Sequence, residues 1–350
     1  MTDDRPTATA AEAATKARDD CRVCGELTGA ERIHIREMMF GTRASFEYRR
    51  CQACGSLSID EIPVDLGRFY PPTYYSNDAR MRVEQDPLWR RAAIRSLVGR
   101  RAFGRQGLSQ RIARRVASVP DAYRVVKDII EGAGLTTFED PILDVGCGAM
   151  PVRLAILRKV GFRRLQGVEP FLSGDLTYQG VRVKKGELGD IEGRFRLIMF
   201  HHSLEHVTDP LATLRQVAAR LAPDGRCLIR TPIADGYFWR TYGTDWVELD
   251  APRHIALFSR VGLERLARRA GLEVAGLAWE SGAWEFVASE QYRRDIAMYE
   301  PGSWFVDRAG GAFDEDHLRE YKAEARRRVE EGDAGRAAIW LRRARAGEAA

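Results

Sequence analysis

The chain has 350 residues, of which 45% are hydrophobic and 30% are charged, a composition typical of globular proteins with about two domains. No apolar run approaches the roughly 18 residues that a membrane-spanning helix requires, and the N-terminal residues lack the apolar stretch of a secretory signal. These observations exclude a membrane-spanning protein, argue against secretion and predict a cytoplasmic location, where thiols stay reduced.

The basic character of the chain is local. Lys and Arg together number 55 against 50 for Asp and Glu. Residues 80–115, however, hold eleven Arg and only two acidic residues. Such a segment is suited to nucleic acid, an acidic substrate or a membrane surface. Solvated helix faces in an Arg-rich protein explain it more simply, and we favour that explanation.

The first predicted module spans residues 20–76 and follows a disordered tail over residues 1–19. It contains two C-x-x-C pairs, CRVCG and CQACG, and each pair can form a tight turn that aims two thiolates at one point. RIHIREM and ASFEYRRC predict strands. We therefore predict a zinc-ribbon-like module with structural Zn²⁺, and four unligated thiols or a redox pair are the alternatives. The ligands would be Cys21, Cys24, Cys51 and Cys54.

A linker follows the module. EIPVDLGRFYPPTYYSNDA predicts a docked, extended segment because it is rich in Pro and Tyr. Residues 77–119 predict a basic helical linker, since PLWRRAAIRSLVGRRAF and LSQRIARRVASV both place apolar residues at helical spacing.

Residues 120–290 alternate between strand and helix patterns. Strands are predicted at PILDVG, RLQGVEP, VRVKKG, RFRLIMFHH and RCLIRTP, and the segments between and around them predict helices. This alternation predicts an α/β fold with a doubly wound, mostly parallel sheet. EVAGLAWES and AWEFVASE predict a late pair of strands with an antiparallel edge. Residues 291–350 predict a helical C-terminal extension.

Ligands of such sheets bind beyond the carboxyl ends of the strands. Two glycines, Gly146 and Gly148, follow the first strand and let the backbone pass close to a ligand. A dinucleotide fingerprint would require Gly in place of Pro151, so that interpretation fails. Glu169 follows the second strand, where it can accept hydrogen bonds from ribose hydroxyls. The glycine loop and Glu169 together predict a site for an adenosine-type cofactor. The alternative is that the loop is a generic turn and Glu169 a capping carboxylate.

These motifs together resemble the class I S-adenosylmethionine-dependent methyltransferases. The resemblance covers about residues 120–290. The Cys module is similar to one that precedes this domain in some bacterial members acting on sugars or other small metabolites. The segments that carry the resemblance are ILDVGCG (142–148), GVEP (167–170), FRLIMFHHSLEHVTDP (195–210), LAPDGRCLIRTP (221–232) and APRHIALFSRVGLERLARRAGLE (251–273).

The resemblance implies S-adenosylmethionine as the cofactor and a set of cofactor contacts. The first loop would line the methionine part, Glu169 the ribose, and the end of the third strand the adenine. The end of the fourth strand would border the methyl-transfer site. The implied contacts are Asp144, Gly146, Gly148, Glu169, Glu187, Leu188 and His201.

Methyl transfer to a hydroxyl or an acidic carbon requires a base, and His is suited to that role. We rank His202 and His254 above His206, because packing beside Glu205 is the simpler role for His206. Structural histidines bonded to backbone are the alternative for each.

One further pattern matches a catalytic signature that its context does not support. His202-Ser203-Leu204-Glu205-His206 matches H-x-x-E-H, a metallopeptidase signature that requires a helix. Here the pattern directly follows an apolar strand, so we do not favour a peptidase.

The favoured function is methyl transfer to a small polar metabolite, such as a sugar or sugar nucleotide. Two alternatives stay open. One is an RNA methyltransferase that uses residues 80–115 to bind phosphates, although aromatic residues are sparse there. The other is a catalytically degenerate cofactor-binding protein, because Met150 stands where the family usually has a third Gly.

Overall fold

The computed structural model describes residues 20–26, 29–71, 87–104, 122–308 and 312–345. The predicted tail over residues 1–19 and the second predicted linker helix, LSQRIARRVASV, lie outside these residues. Within them, no helix is long and apolar enough to cross a membrane.

The strands of the described residues are β1 (Ala30–Arg36), β2 (Ser45–Cys51), β3 (Leu57–Ile59), β4 (Ile142–Val145), β5 (Leu165–Glu169), β6 (Leu176–Tyr178), β7 (Val181–Lys185), β8 (Phe195–His201), β9 (Leu221–Pro232), β10 (Ala256–Leu257), β11 (Leu272–Glu280) and β12 (Arg336–Arg343). The α-helices are α1 (Leu88–Phe103), α2 (Ala122–Gly132), α3 (Val152–Val160), α4 (Pro210–Arg220), α5 (Tyr237–Tyr242), α6 (Arg260–Arg269), α7 (Ala283–Arg293) and α8 (Glu315–Glu330).

A large sheet has the strand order β11-β12-β9-β8-β4-β5-β7-β6. The strands β7, β5, β4, β8 and β9 are parallel to one another, whereas β6 and β12 pair antiparallel with their neighbours. The sequence of β8, FRLIMFH, is almost entirely buried, because a central strand covered on both faces needs apolar side chains on both. The predicted doubly wound, mostly parallel α/β fold is confirmed.

The two faces of the sheet carry different helices, and alternate strand residues serve each face. Ile142 and Leu197 pack with residues of α1, α2 and α3. Leu143 and Ile198 pack with residues of α4 and α6 on the other face. The period-2 alternation of strand side chains explains this division. Both faces are therefore covered, and the strand ends are left for the site.

The predicted strand AWEFVASE is wrong, because residues 283–293 form the helix α7. The run is too short for its pattern of apolar residues to separate a buried strand from a buried helix. Its first turn is fixed by Glu285, whose Oε2 accepts hydrogen bonds from Gly282 N and Ser281 Oγ, both at 3.0 Å. Phe286 and Ala288 then pack into a core with Trp246.

The helical prediction for the C-terminal extension holds for α8 but is wrong for residues 336–343. RAAIWLRR forms β12, which lies between β9 and β11. Ala and Arg favour helices, but pairing with two strands and burial of Ile339 and Leu341 outweigh that local preference. The antiparallel strand pair at this edge is therefore β11 with β12.

A second sheet has the order β1-β2-β3-β10. Its first three strands come from the predicted Cys module, and β1 and β2 confirm the predicted strands there. The fourth strand, β10, comes from the segment just before α6, where Leu257 pairs with Leu57. The N-terminal module is therefore continuous with the central α/β region.

Candidate functional site

The glycine loop after β4 is tightly packed. Gly146 and Gly148 both have φ of +70°, in the left-handed region that favours glycine. A Cβ on Gly146 would lie 2.6 Å from the Cβ of Ser203, in the turn after β8. Ser203 Oγ donates to the carbonyl oxygen of Val145 at 2.7 Å. The loop therefore requires Gly where two strand ends meet.

Glu169, at the end of β5, faces this loop. Its Oε2 accepts a hydrogen bond from Gly148 N at 2.9 Å, and its Oε1 accepts one from Phe171 N at 3.1 Å. Each carboxylate oxygen keeps a second lone pair for another donor. The structure thus brings together the two motifs that the sequence singled out, with acceptor capacity left for hydroxyl groups.

Two buried side chains near the loop have polar atoms without partners. Among the described residues, Asp144 Oδ1 and both ring nitrogens of His201 make no hydrogen bond. Burial raises the pKa of Asp144 to about 7, with Arg153 opposing the rise and Glu169 adding to it. Burial, and then the charges of Arg153 and Arg230, hold the pKa of His201 well below its ordinary value. Unsatisfied buried groups cost about 1–3 kcal/mol each, so this edge is suited to a polar ligand.

Glu187 and Leu188 lie at the same edge of the sheet, just after β7. Leu188 is buried and begins a single turn of 3₁₀-helix, whereas Glu187 is exposed. Asp190 Oδ2 accepts a hydrogen bond from Glu187 N at 2.9 Å, which fixes the turn. An apolar residue beside an exposed carboxylate is compatible with the predicted adenine contact.

His202 follows β8 with a left-handed backbone, φ 53°, which costs about 1–3 kcal/mol in a residue other than Gly. Its Nδ1 lies 3.4 Å from Oε1 of Glu205, whose side chain is fully buried. Burial alone would lower the pKa of His202, but the close contact with Glu205 and the charges of Glu248 and Glu205 outweigh it and raise that pKa. Burial likewise opposes ionisation of Glu205, yet the histidines around it lower its pKa to about 2.

The structure also brings together His206 and His254, which are 48 positions apart in the sequence. Their ring centroids are 4.7 Å apart. His206 Nδ1 lies 2.9 Å from the carbonyl oxygen of Arg253, and His254 Nδ1 lies 2.7 Å from that of Glu248. Tyr70, from the predicted extended segment, contacts His206 through its hydroxyl at 3.2 Å. All three predicted base candidates therefore surround Glu205.

The H-x-x-E-H pattern does not form the α-helix of a metallopeptidase. Leu204–His206 is a single turn of 3₁₀-helix between β8 and α4. The pattern therefore lacks the helix that a metallopeptidase requires, as its position directly after an apolar strand indicated.

Sequence reasoning missed a second group of buried charges beside His202. Arg336, on β12, lies 3.4 Å from Glu248 and 3.3 Å from Glu285. Burial raises the pKa of Glu248 to about 7, with Arg336 opposing the rise. The wrong prediction for residues 336–343 concealed this group, because a helical tail gave no reason to place Arg336 at the site.

Sequence reasoning also missed Arg253, which is fully buried. Its guanidinium lies 2.5 Å from Asp250 and 2.9 Å from Glu37, and it donates to the carbonyl oxygen of Phe69 at 3.0 Å. Glu37 and Phe69 belong to the N-terminal module, and Tyr48 of that module donates to the carbonyl oxygen of His254 at 2.8 Å. The module therefore supports the loop that carries His254.

The four predicted zinc ligands form one compact cluster. Cys21 Sγ lies 3.8 Å from Cys54 Sγ, and Cys24 Sγ lies 3.7 Å from Cys51 Sγ. One ligand atom from each of the four lies within 4.8 Å of the others. A tetrahedral zinc–thiolate site, with Zn–S bonds of about 2.3 Å, separates its sulfurs by about 3.8 Å.

The turns of the two Cys pairs are equivalent. Gly25 N donates to the carbonyl oxygen of Cys21 at 2.9 Å, and Gly55 N donates to that of Cys51 at 2.8 Å. Both glycines have φ of +78°. The two C-x-x-C-G motifs thus form matched turns, as their shared sequence indicated.

The family described as "Methyltransferase domain" matches residues 103–276. The matched region includes β4 to β10 and thus the glycine loop, Glu169 and the residues after β8. No curated protein matches the sequence.

The chain is similar to several solved structures. One is geranyl diphosphate C-methyltransferase from Streptomyces coelicolor, with 16% identity over 70% of this chain and 87% of that chain and a TM-score of 0.42. Another is the YcgJ protein from Bacillus subtilis, with 17% identity over 64% of this chain and 100% of that chain and a TM-score of 0.40.

The assignment rests on the family match, on the doubly wound sheet and on the glycine loop at its carboxyl edge. Together they show that residues 103–276 form an S-adenosylmethionine-dependent methyltransferase domain.

Proposed function

We propose that the protein methylates a small polar metabolite, such as a sugar or sugar nucleotide, with His202 as the base. The observation that carries the proposal is the pairing of half-buried His202 with fully buried Glu205, directly after β8. Nδ1 of His202 faces the carboxylate, so Nε2 is the atom available to an acceptor. The strand β8 lies beside β4, whose glycine loop is assigned to the cofactor.

The cofactor residues are proposed from the same edge of the sheet. S-adenosylmethionine, when bound, supplies an electrophilic methyl group. The Asp144 carboxylate suits its ammonium group, and the free lone pairs of Glu169 suit the ribose hydroxyls. The full proposed set is Asp144, Gly146, Gly148, Glu169, Glu187, Leu188 and His201.

His202 takes the proton of the acceptor at Nε2, and Glu205 stabilises the imidazolium that results. Such base catalysis contributes about 10²–10⁴ in rate. The strained backbone of His202 and its contact with Glu205 hold the ring in one orientation, which also contributes through positioning.

The charges near His202 support a small polar acceptor. Glu248 and Glu285 are buried beside Arg336, and carboxylates accept hydrogen bonds from hydroxyl groups. A site made of buried ionisable groups favours a ligand that is itself polar and compact.

The RNA alternative receives less support. The apolar face of α1, at Ile94 and Val98, packs into the core, and Phe103 contacts Phe138 and Phe162. Phe138 precedes β4 and Phe162 precedes β5, so both lie at the amino ends of the strands. The described part of the basic segment therefore lies away from the carboxyl edge.

The test is a screen of small polar acceptors for production of S-adenosylhomocysteine, followed by His202→Ala on the best acceptor. We expect turnover to fall by about 10²–10⁴ while cofactor affinity, measured by calorimetry, is unchanged. His34→Ala, on the exposed face of β1, is the matched control and should keep full turnover.

Near-wild-type turnover of His202→Ala would remove His202 as the base. Turnover on RNA, with salt-dependent binding, would favour the RNA alternative. Cofactor binding without turnover on any acceptor would favour a degenerate protein.

We further propose that the Cys cluster holds a structural Zn²⁺ ion. The sulfur separations and the matched turns support tetrahedral coordination, and four thiolates leave no open position for water. The alternatives, free thiols or a redox pair, would leave three buried Cys and one half-buried Cys in contact without a cation.

A further inference from the structure

A second cluster of metal-binding groups lies just after β8. Glu205, His206 and His254 each offer one ligand atom, and these atoms lie within 4.8 Å of one another. The two rings meet edge to face, at an interplanar angle of 68°. The backbone joins the two loops, since Ile255 N donates to the carbonyl oxygen of Glu205 at 2.8 Å.

The hydrogen bonds of the two rings fix their tautomers. Nδ1 of His206 faces the carbonyl oxygen of Arg253 at 2.9 Å and, at 3.2 Å, the hydroxyl of Tyr70, which can accept as well as donate. Nδ1 of His254 faces the carbonyl oxygen of Glu248. A carbonyl oxygen only accepts, so both Nδ1 atoms carry a hydrogen. Metal-bound histidines usually donate their other ring N–H to a carbonyl or carboxylate in this way. In the neutral rings, Nε2 then holds the free lone pair.

These lone pairs lack donors. Among the described residues, no hydrogen-bond donor reaches Nε2 of His206 or His254, and Asp250 Oδ2 lies 4.0 Å from Nε2 of His254. Glu205 is fully buried, and its Oε2 accepts a hydrogen bond from Thr231 Oγ1 at 3.1 Å. One nitrogen of each ring and one carboxylate oxygen thus lie within 4.8 Å of one another, on two buried residues and one half-buried residue, an arrangement that a cation satisfies.

We propose that Glu205, His206 and His254 bind one divalent transition-metal ion, of the class that includes Zn²⁺, Fe²⁺ and Mn²⁺. Two imidazoles and one carboxylate are ligands that such ions take in proteins. Three protein ligands leave at least one position open, in contrast to the Cys cluster. Only the last two residues of the H-x-x-E-H pattern take part, so this is not the metallopeptidase arrangement.

A consequence for the acceptor rests on the proposed function. An acceptor hydroxyl would bind at the open position through its oxygen, which lowers the pKa of that hydroxyl. His206 and His254 are then ligands and not bases. Tyr70, whose hydroxyl contacts Nδ1 of His206 and whose ring stacks on exposed Phe171, lies against the ring nitrogen that does not bind the ion.

The experiment measures metal content of the purified full chain, first as isolated and then after loading with Co²⁺ alone. We expect two ions per chain in the wild type and one in His206→Gln and in Glu205→Gln. His202→Ala and Cys147→Ser are matched controls that should keep two, and Cys51→Ser should lose the other ion. Cobalt–thiolate charge-transfer bands should persist in His206→Gln, whereas the weaker visible bands of the nitrogen–oxygen site should vanish.

A wild-type chain whose only ion is lost in Cys51→Ser would overturn the proposal, and so would an unchanged ion count in a correctly folded His206→Gln. A thermal melt of each variant establishes folding, and His206→Gln is the safer variant because His206 is only half-buried. Metal content depends neither on the acceptor nor on methyl transfer, so its failure is distinguishable from the failure of the proposed function, which the acceptor screen measures.

Discussion

The Cys cluster and the carboxyl edge of the large sheet both gather buried polar groups, but they differ in how far those groups satisfy one another. In the Cys cluster, four sulfurs face a common point and two matched turns hold them there. At the sheet edge, Asp144 Oδ1 and both nitrogens of His201 have no partner within the described ranges. The first region is thus suited to hold one ion in a closed set of ligands, whereas the second has acceptors left for a polar ligand.

The two regions are nevertheless linked. Strand β3 of the module pairs with β10, and Ile255, just before β10, bonds to the backbone of Glu205. Arg253 adds a buried ion pair with Glu37 of the module. Loss of the module should therefore disturb the site after β8, but changes in the cofactor residues should leave the module intact.

The largest expected effect follows from Cys51→Ser. Loss of one thiolate should release the proposed Zn²⁺ ion and lower Tm by on the order of 10 °C, because structural metal binding contributes directly to folding. Metal analysis and a thermal melt measure both effects. Cys147→Ser should keep the zinc and most of the stability. Unchanged zinc in Cys51→Ser would contradict the assignment.

Glu169→Ala tests the other region. Removal of the carboxylate should weaken binding of S-adenosylmethionine by about tenfold to a hundredfold, equal to about 1.5–3 kcal/mol, with little loss of stability. Calorimetry gives the affinity, and Glu187→Ala, at an exposed position, should have a smaller effect. Equal affinity in wild type and Glu169→Ala would refute the ribose assignment, as would tight binding of NAD.

The pKa of Asp144 predicts two linked pH dependences. Burial raises that pKa from 3.8 to about 7, so the folded state holds a proton that the unfolded state has lost. Asp144 therefore contributes most to the free energy of unfolding below about pH 4, where its carboxyl group is protonated in both states. That contribution is lost as the pH rises to about 7. Affinity for the cationic cofactor should rise by about tenfold through pH 7, because the ionised carboxylate attracts the ammonium group.

Asp144→Asn should remove both dependences. Thermal melts between pH 4.5 and 8 should show a flatter profile than the wild type, and calorimetry should show weaker binding that no longer varies with pH. A wild-type pH profile retained in the variant would show that other groups, such as Glu248, are responsible.

The smallest effect is expected for Met150→Gly. Met150 is half-buried in the glycine loop, where the family usually has Gly. Removal of its side chain should improve cofactor affinity by less than about tenfold, partly offset by the entropy cost of an added Gly. A large gain in turnover would instead indicate that Met150 impairs the natural enzyme.

Patterns with a local cause were predictable from the sequence. β4, β5 and β8 are short apolar runs bounded by turn residues, and the two C-x-x-C-G motifs determine their own turns. Glu169 was found because it ends the strand next to the glycine loop. By contrast, β10 has only two residues and β12 has the composition of a helix, so no local pattern revealed either strand.

The sequence by itself determined the turns of the Cys cluster and of the glycine loop, because neighbouring residues and backbone preferences are sufficient for a turn. Only the tertiary structure decided that His254 lies against His206 and Glu205, and that Arg336 lies against Glu248 and Glu285. These contacts depend on strand order and on the pairing of β3 with β10. Such pairing forms between distant segments once the chain is folded, so residue spacing carries no signal for it.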